Sequence, residues 1–287
     1  MIAAFEAGPA QGSLDVVGSD PRLRKGFLLC MTTVPLLSAR GIGKRFGALI
    51  ALAGVDLDIF TGEIVALVGD NGAGKSTFNK ILAGAHPPSE GEIRMDGKVV
   101  AFDSPQDASS AGIATIFQEL ALSENLSISE NVYLGREIVR RVAGIPFLRR
   151  AEMKQQVAGL LKELDAHVSD ADAIVGSLSG GQRQAVAICR ALNLQARLVI
   201  MDEPTAALAV AETRKVLALA RRLAERGCAV VLISHNIADV MDVADRVVVF
   251  RRGRKIAERS REATTAEEII ALITGAHPDV RALEKPS

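Results

Sequence analysis

Residues 69–76 read Gly-Asp-Asn-Gly-Ala-Gly-Lys-Ser and fit the phosphate-binding pattern G-x-x-x-x-G-K-[ST] without a mismatch. Glycines in such a loop let backbone N–H groups turn toward phosphate oxygens, and a following helix N-terminus adds partial positive charge. Lys75 is expected to reach the β- and γ-phosphates, and the Ser76 hydroxyl is placed to hold Mg²⁺. The residues predicted to contact a nucleotide here are Gly69, Asp70, Asn71, Gly72, Ala73, Gly74, Lys75, Ser76 and Thr77.

Apolar runs on both sides place this loop between a strand and a helix. Residues 63–68 read Glu-Ile-Val-Ala-Leu-Val, and the five apolar residues predict a buried strand. Residues 77–83 continue as a helix that Gly84 can end. A glycine-rich turn with a chance Lys-Ser pair is the alternative interpretation. The strand and the helix at the required spacing favour the phosphate loop.

A second apolar strand ends in two acidic residues. Residues 198–201 are Leu-Val-Ile-Met, which predicts a buried parallel strand, and they precede Asp202 and Glu203. The carboxyl ends of parallel strands are where open α/β sheets bind ligands. Asp202 is predicted to hold Mg²⁺, and Glu203 to orient and deprotonate a water molecule. An Asp-Glu pair alone is often a solvated turn, but the complete phosphate loop favours the functional interpretation.

Three further side chains are predicted to lie near the same edge. Gln118 follows the apolar run 114–117, and its amide oxygen can coordinate a metal or a water molecule. His235 follows the apolar run 229–233. Phe46 could stack on an adenine ring, and a core aromatic is the equally weighted alternative.

Residues 178–182, Leu-Ser-Gly-Gly-Gln, lie between the phosphate loop and the Asp-Glu strand. With Gln118, Asp202-Glu203 and His235 also in this order, the chain from about Leu36 to Gly275 resembles the ATP-binding cassette (ABC) ATPases. In that family this short segment contacts the γ-phosphate of the ATP held by a partner subunit. The resemblance implies ATP and Mg²⁺ as cofactors and a second ABC subunit, expected to be another copy of this chain. The residues that would reach the partner's ATP are Ser179, Gly180, Gly181 and Gln182.

The predicted reaction is in-line attack of water on the γ-phosphate, accelerated by positioning and charge neutralisation. Lys75 would neutralise developing charge. Glu203 would polarise the water, and His235 would contact the γ-phosphate and hold Glu203. Gln118 would sense the metal and pass the closed state to a transporter.

The resemblance implies an α/β fold, a P-loop NTPase (RecA-like) core with an antiparallel β portion and an inserted helical subdomain. We expect the ATPase domain over 34–275 and the insert over about 119–180, mostly helical, with an amphipathic helix around 153–164. Asp96-Gly97 predicts a hairpin turn in the antiparallel portion. Residues 1–33 are expected to be a disordered extension, with Met31 just before the first strand of the family pattern, and 276–287 a flexible tail.

Composition narrows the class of protein. The chain has 287 residues, 48% of them hydrophobic, and a formal net charge of zero, which argues against nucleic acid as the main partner. Its three cysteines are too far apart for a C-x-x-C site, and reduced thiols are expected. No apolar run approaches 18 residues, and the segment before Met31 is only faintly like a signal peptide.

Two segments resemble the ATPase subunits of simple-sugar importers of the fructose and ribose type. They are 128–137, Ile-Ser-Glu-Asn-Val-Tyr-Leu-Gly-Arg-Glu, and 203–208, Glu-Pro-Thr-Ala-Ala-Leu. The likeness implies membrane permease subunits as partners, a periplasmic solute-binding protein acting indirectly, and a peripheral position on the cytoplasmic face of the inner membrane. The alternatives are an ATPase for another ABC transporter, of other substrate or for export, and a soluble ABC protein outside transport.

One position departs from the family pattern. Ala209 stands where most members have an Asp that helps to align the two ATP sites of a dimer. A degenerate cassette that does not hydrolyse ATP is the alternative this raises. That alternative is disfavoured because the chain has all of the predicted catalytic and metal residues, Lys75, Gln118, Asp202, Glu203 and His235.

Overall fold

The computed structural model describes residues 34–283 apart from 118–119, 143–144, 167, 169 and 207. The expected extension 1–33 and Gln118 therefore lie outside the described residues. In chain order the strands are β1 (Leu37–Phe46), β2 (Leu49–Ile59), β3 (Ile64–Val68), β4 (Glu90–Met95), β5 (Lys98–Val100), β6 (Ile113–Ile116), β7 (Val139–Val142), β8 (Ile145–Leu148), β9 (Leu198–Asp202), β10 (Ala229–Ile233), β11 (Arg246–Arg251) and β12 (Arg254–Ser260).

The described α-helices are α1 (Lys75–Leu82), α2 (Pro105–Ser110), α3 (Ile128–Tyr133), α4 (Arg150–Glu163), α5 (Gly180–Asn193), α6 (Val210–Glu225), α7 (Ile237–Val243), α8 (Ala266–Thr274) and α9 (Pro278–Leu283). Short 3₁₀ turns lie at Val175–Ser177 and Arg261–Ala263. None of these helices combines the length and apolar character that a membrane span requires.

The central sheet has the strand order β12-β11-β3-β10-β9-β6, and all neighbours in it are parallel except β11 and β12. Every residue of β3 and of β10 is buried, because helices cover both faces of such a sheet. The predicted strands at 63–68, 114–117, 198–202 and 229–233 are confirmed within a residue. The carboxyl ends of β3, β6, β9 and β10 therefore share one edge, which collects the polar residues that follow them.

The smaller sheet is antiparallel, with the order β2-β1-β4-β5. Val55, Leu57 and Ile59 are buried on one face of β2, as the alternation predicts. The predicted hairpin turn joins β4 to β5, with Asp96 and Gly97 at φ 50° and 78°. This sheet is the expected antiparallel β portion.

The inserted region contains α3 and α4 ahead of α5, and the amphipathic helix is confirmed because Met153, Val157 and Leu161 are buried. The expectation of a mostly helical insert misses the hairpin β7–β8, in which Val139 pairs with Leu148 and Val142 with Ile145. β-Branched residues favour an extended backbone. Pro146 in the second strand cannot donate a helical hydrogen bond.

The C-terminal segment differs in part from the expected flexible tail. Residues 278–283 form α9, and Val280 is buried against the cluster that includes Ile269 and Leu272. Arg259 also bonds the Asp279 carboxylate at 2.8 Å. The expected start of the flexible tail at residue 276 is therefore too early.

The two cysteines among the described residues, Cys189 and Cys228, are buried free thiols. Burial raises the pKa of Cys189 to about 12, so its thiol stays protonated at neutral pH. This fits the expectation of reduced cysteines that serve packing.

Helix α6 begins without a side-chain cap. Both α3 and α5 begin with a capping box, Ser127 with Glu130 and Ser179 with Gln182. At α6 the N-cap is Ala209, in an extended conformation, and its methyl group cannot accept a hydrogen bond.

Replacing Ala209 by Ser should therefore stabilise the chain by about 1 kcal/mol, because the new hydroxyl and Glu212 three residues on would form the same capping box. Ala209 is exposed, so the hydroxyl meets no packed neighbour. The measurement is the urea midpoint at unchanged denaturant slope, with Ala209→Val as the non-capping control. An unchanged midpoint would show that this helix start is not limiting for stability.

Candidate active site

The loop between β3 and α1 has the geometry of a phosphate cradle, and two of its glycines are required by the space around them. Gly69 has φ 147°, and a Cβ there would lie 2.2 Å from the Phe250 carbonyl oxygen. Gly74 is the N-cap of α1 at φ 106°, and a Cβ there would lie 2.7 Å from Leu52 Cδ2. No side chain caps the first turn of α1, so its N–H groups remain available to an anion.

Lys75 lies at the start of α1 with only 7% of its surface exposed. Its Nζ donates to the carbonyl oxygens of Gly69 at 2.6 Å and Asp70 at 3.0 Å. Burial lowers the pKa of Lys75, and the charges of Glu203, Asp70 and Asp202 oppose that shift. Phosphate oxygens would offer this amine charged partners in place of neutral carbonyls.

Glu203 directly follows β9 and contacts the residues that end β10. Its N–H donates to the Ile233 carbonyl at 2.9 Å, and its φ of 50° lies in the left-handed region. For a residue with a Cβ such a backbone costs about 1–3 kcal/mol, and strain of this kind clusters at functional sites. Glu203 Oε2 lies 2.7 Å from Nδ1 of His235. This short contact brings the imidazole that follows β10 to the carboxylate that follows β9.

Asp202, the last residue of β9, contacts a side chain that the sequence analysis did not single out. Asn79 Nδ2 donates to Asp202 Oδ2 at 2.9 Å, and Asn79 is 1% exposed. The sequence holds one signal for it. Asn79 is a polar residue beside Phe78 on the buried side of α1, one helical turn after Lys75.

Lys75, Asp202 and Glu203 line one cleft of about 980 Å³ at the carboxyl edge of the central sheet. Gly69, Asp70 and His235 are not among its described lining residues. Phe46 lines it with 45% of its surface exposed, so the core alternative for this ring is wrong. Its ring meets His86 edge-on at 5.7 Å between centroids, and Lys44 Nζ lies 5.2 Å from its centroid. The lining comprises Phe46, Leu49, Ile50, Ala51, Asn71, Gly72, Ala73, Gly74, Lys75, Ser76, Thr77, Phe117, Asp202, Glu203, Ile233, Arg252 and Gly253.

The cleft offers oxygen donors that suit Mg²⁺, the Ser76 hydroxyl and the Asp202 carboxylate. Within the described ranges no group of three or more His, Cys, Asp and Glu side chains could hold a metal by itself. Mg²⁺ in nucleotide sites uses one or two protein oxygens together with phosphate oxygens, so the donor set fits that arrangement. The third predicted metal residue, Gln118, lies outside the described residues.

The predicted second anion-binding segment is not part of this cleft. Ser179 is the N-cap of α5, and its Oγ accepts from the Gln182 N–H at 3.4 Å while Gln182 Oε1 accepts from the Ser179 N–H at 2.9 Å. Gly180 lies against Leu208, where a Cβ would approach Cδ2 to 2.6 Å. Neither Ser179, Gly180, Gly181 nor Gln182 is among the described lining residues of the cleft. One chain thus presents two separate glycine-containing helix starts.

Comparisons with known proteins agree with these features. Residues 52–206 match the family described as ABC transporter. The xylose/arabinose import ATP-binding protein XylG of Sulfolobus acidocaldarius is 48% identical over 239 residues, which cover 83% of this chain and 94% of that relative. The fructose import ATP-binding protein FrcA of Rhizobium meliloti is 47% identical over 250 residues, which cover 86% of this chain and 96% of that relative.

The fold is also similar to a solved one. The dimeric structure of MJ0796, a bacterial ABC transporter cassette, has a TM-score of 0.65 at 28% sequence identity, covering 79% of this chain and 100% of that chain. The chain therefore belongs to the ATP-binding cassette family of transporter proteins and is an ATPase of that family.

Proposed function

We propose that this chain is the ATP-hydrolysing subunit of an importer for a simple sugar. The observation that carries the proposal is the near full-length similarity, at 47–48% identity, to subunits named for xylose/arabinose and fructose import. The match covers 94% and 96% of those two relatives. The residues of the cleft support ATP hydrolysis, and the kind of transporter that this hydrolysis drives is inferred from the two relatives.

In the proposed reaction, water attacks the γ-phosphate in line with the leaving oxygen. Glu203 lies at the edge of the cleft and orients and polarises that water. His235, 2.7 Å from Glu203, holds the carboxylate and contacts the γ-phosphate. Lys75 leaves its carbonyl partners for the β- and γ-phosphates and neutralises charge there. Phe46 stacks on the adenine ring.

Ser76, Asp202 and Gln118 are the residues proposed to hold Mg²⁺. When bound, the ion neutralises charge on the phosphate oxygens as the transition state forms. The protein's own contribution is to present oxygen donors from two elements, the start of α1 and the end of β9, toward the cleft.

The separate position of the 179–182 segment supports a partnership between two copies of this chain. An ATP bound in one cleft would be completed by the α5 N-terminus of the partner, whose N–H groups and dipole favour a phosphate. A twofold axis would then make two equivalent composite sites. ATP would bring the copies together and hydrolysis would release them.

A second cleft, about 340 Å³, lies between the insert and the central sheet and is proposed to receive a permease segment. Phe117 and Leu134 line it together with Arg190 of α5. Gln118 directly follows Phe117, and Arg190 Nη2 holds the Leu120 carbonyl at 3.1 Å. Gln118 is proposed to pass the closed state of the nucleotide cleft to this second cleft through the residues that follow it. Permease subunits would hold the chain at the cytoplasmic face of the inner membrane, with a periplasmic solute-binding protein supplying the sugar.

The test is uptake of labelled fructose, ribose, xylose and arabinose by cells that lack this gene. We expect loss of uptake of at least one of these sugars, restored by the wild-type gene and not by Lys75→Ala. Export of dyes and uptake of amino acids serve as controls. Unchanged uptake of all four sugars, with a defect in either control, would overturn the sugar assignment and leave the ATPase assignment intact.

A further inference from the structure

Asn79 is a fully buried amide on α1 that touches the acidic residue at the end of β9. Of the other buried residues of the helix, Phe78, Ile81 and Leu82 are apolar, and Lys75 at its start is the exception. Its Nδ2 donates to Asp202 Oδ2 at 2.9 Å, a contact between residues 123 positions apart in the chain. A hydrogen bond to an ionised carboxylate is among the strong ones in proteins.

The other end of the same amide has no partner. Asn79 Oδ1 is buried without a hydrogen bond among the described residues. A buried acceptor left unpaired costs stability, whereas an apolar side chain at this place would carry no such cost. Local packing therefore does not account for an amide at this position, and its contact with Asp202 is the interaction that does.

Asn79 lies near Ser76, one of the residues proposed to hold Mg²⁺. Ser76 and Asn79 are three residues apart, so they lie on neighbouring positions of one helix face. Asn79 occupies Oδ2 of Asp202, which leaves Oδ1 as the oxygen free of that hydrogen bond. A carboxylate with one oxygen fixed has fewer orientations to lose when the other binds a cation.

We propose that Asn79 is a positioning residue that holds the Asp202 carboxylate in the orientation required for the nucleotide-bound Mg²⁺. The proposal rests on the metal role of Asp202 given above and adds a residue to it. Asn79 itself touches neither nucleotide nor metal. It acts by restraining a ligand from the outer shell of the site.

The test is Mn²⁺ binding, followed by the spectroscopic signal of free Mn²⁺, to the full chain saturated with a non-hydrolysable ATP analogue. Asn79→Leu should weaken Mn²⁺ binding about tenfold, since one charge-assisted hydrogen bond is lost. Affinity for the analogue without metal should stay within about twofold, and the melting temperature should be equal or higher because the unpaired oxygen is gone. Asn79→Ala tests the same loss without added bulk.

Asn131 provides the matched control. It is a fully buried amide of α3 with hydrogen bonds to Ser123 and to the carbonyl oxygens of Leu126 and Ser127. Asn131→Ala should lower the melting temperature and leave Mn²⁺ affinity unchanged.

The proposal is overturned if Asn79→Ala and Asn79→Leu bind Mn²⁺ as the wild type does, or if metal-free nucleotide affinity falls in parallel. Asp202→Asn tests the metal role of Asp202 separately from the role of Asn79. If that variant also keeps wild-type Mn²⁺ binding, the metal role of Asp202 fails, and the proposal for Asn79 fails with it.

Discussion

Glu203→Gln should lower the steady-state rate of ATP hydrolysis by a factor of about 10² to 10⁴, the range for loss of a general base. The amide has the shape of the carboxylate and can keep the contact with His235, whose Nδ1 lies 2.7 Å from Oε2 in the wild-type chain. It cannot take a proton from the attacking water. ATP binding depends on the phosphate loop and Lys75, so the variant should bind ATP and accumulate ATP-bound dimers.

The measurements are phosphate release and size-exclusion chromatography with and without ATP. Glu225→Gln, an exposed residue at the end of α6, makes the same chemical change away from the cleft and should leave both readouts unchanged. Hydrolysis by Glu203→Gln at more than about a tenth of the wild-type rate would remove the general-base role from this residue. Loss of ATP binding would point instead to disruption of the strained backbone at this position.

The sequence predicts the central sheet well because its signals are local and strong. Runs of four or five apolar residues occur at 64–68, 198–201 and 229–233, and they are followed by Gly69, Asp202 and Ser234. A half-buried strand or a surface helix would leave part of each run exposed. The order of the polar residues along the chain then determines what gathers at the carboxyl edge. The contact of His235 with Glu203 follows from the adjacency of β9 and β10.

Features that depend on tertiary contacts leave no comparable local pattern in the sequence. The hairpin β7–β8 lies between two helices, and its eight residues are too few for a clear periodic pattern. The contact of Asn79 with Asp202 joins two distant elements, and only the fold brings them together. The left-handed backbone of Glu203 has no signal, because nothing in the residue type favours it.

For the 179–182 segment, the sequence predicts the local structure but not the binding partner. Its capping box and helix are readable from Ser-x-x-Gln before an apolar helix. The molecule that it contacts cannot be predicted from these residues, because the site would be formed by two chains and only one is described by the sequence. The assignment to the ATP of a second copy came from family resemblance, and the position of the segment outside the cleft of its own chain is the structural observation that agrees with it.

If two chains share each ATP site, mixing two inactive variants should restore a substantial part of the ATPase activity. Lys75→Ala removes the buried amine of the phosphate loop, and Ser179→Arg places a bulky cation at the exposed N-cap of α5. Each variant alone should lose nearly all ATPase activity, since both composite sites of its dimer carry the change. An equal mixture should recover about one quarter of the wild-type rate, because random pairing makes half of the dimers mixed and each mixed dimer holds one intact site.

The two changes must be separated from simple destabilisation. Ser179→Ala loses the capping hydrogen bond, at about 0.5–2 kcal/mol, without placing a bulky cation at the α5 N-terminus, and should lose much less activity than Ser179→Arg. Lys162→Ala changes an exposed lysine of α4 and should have no effect. Both are measured at a temperature well below the unfolding midpoint.

Dimer formation with ATP is a second measurement, which still tests the shared site if a dimer with one intact site does not hydrolyse ATP. With Glu203→Gln added to both chains, the Lys75→Ala and Ser179→Arg variants should each remain monomeric with ATP, whereas their mixture should form dimers that retain one ATP. In these dimers the ATP lies in the phosphate loop of the Ser179→Arg chain, and the α5 N-terminus of the Lys75→Ala chain completes the site. A mixture that stays monomeric and inactive would mean that each chain completes its own site, and the proposed dimer would then be wrong.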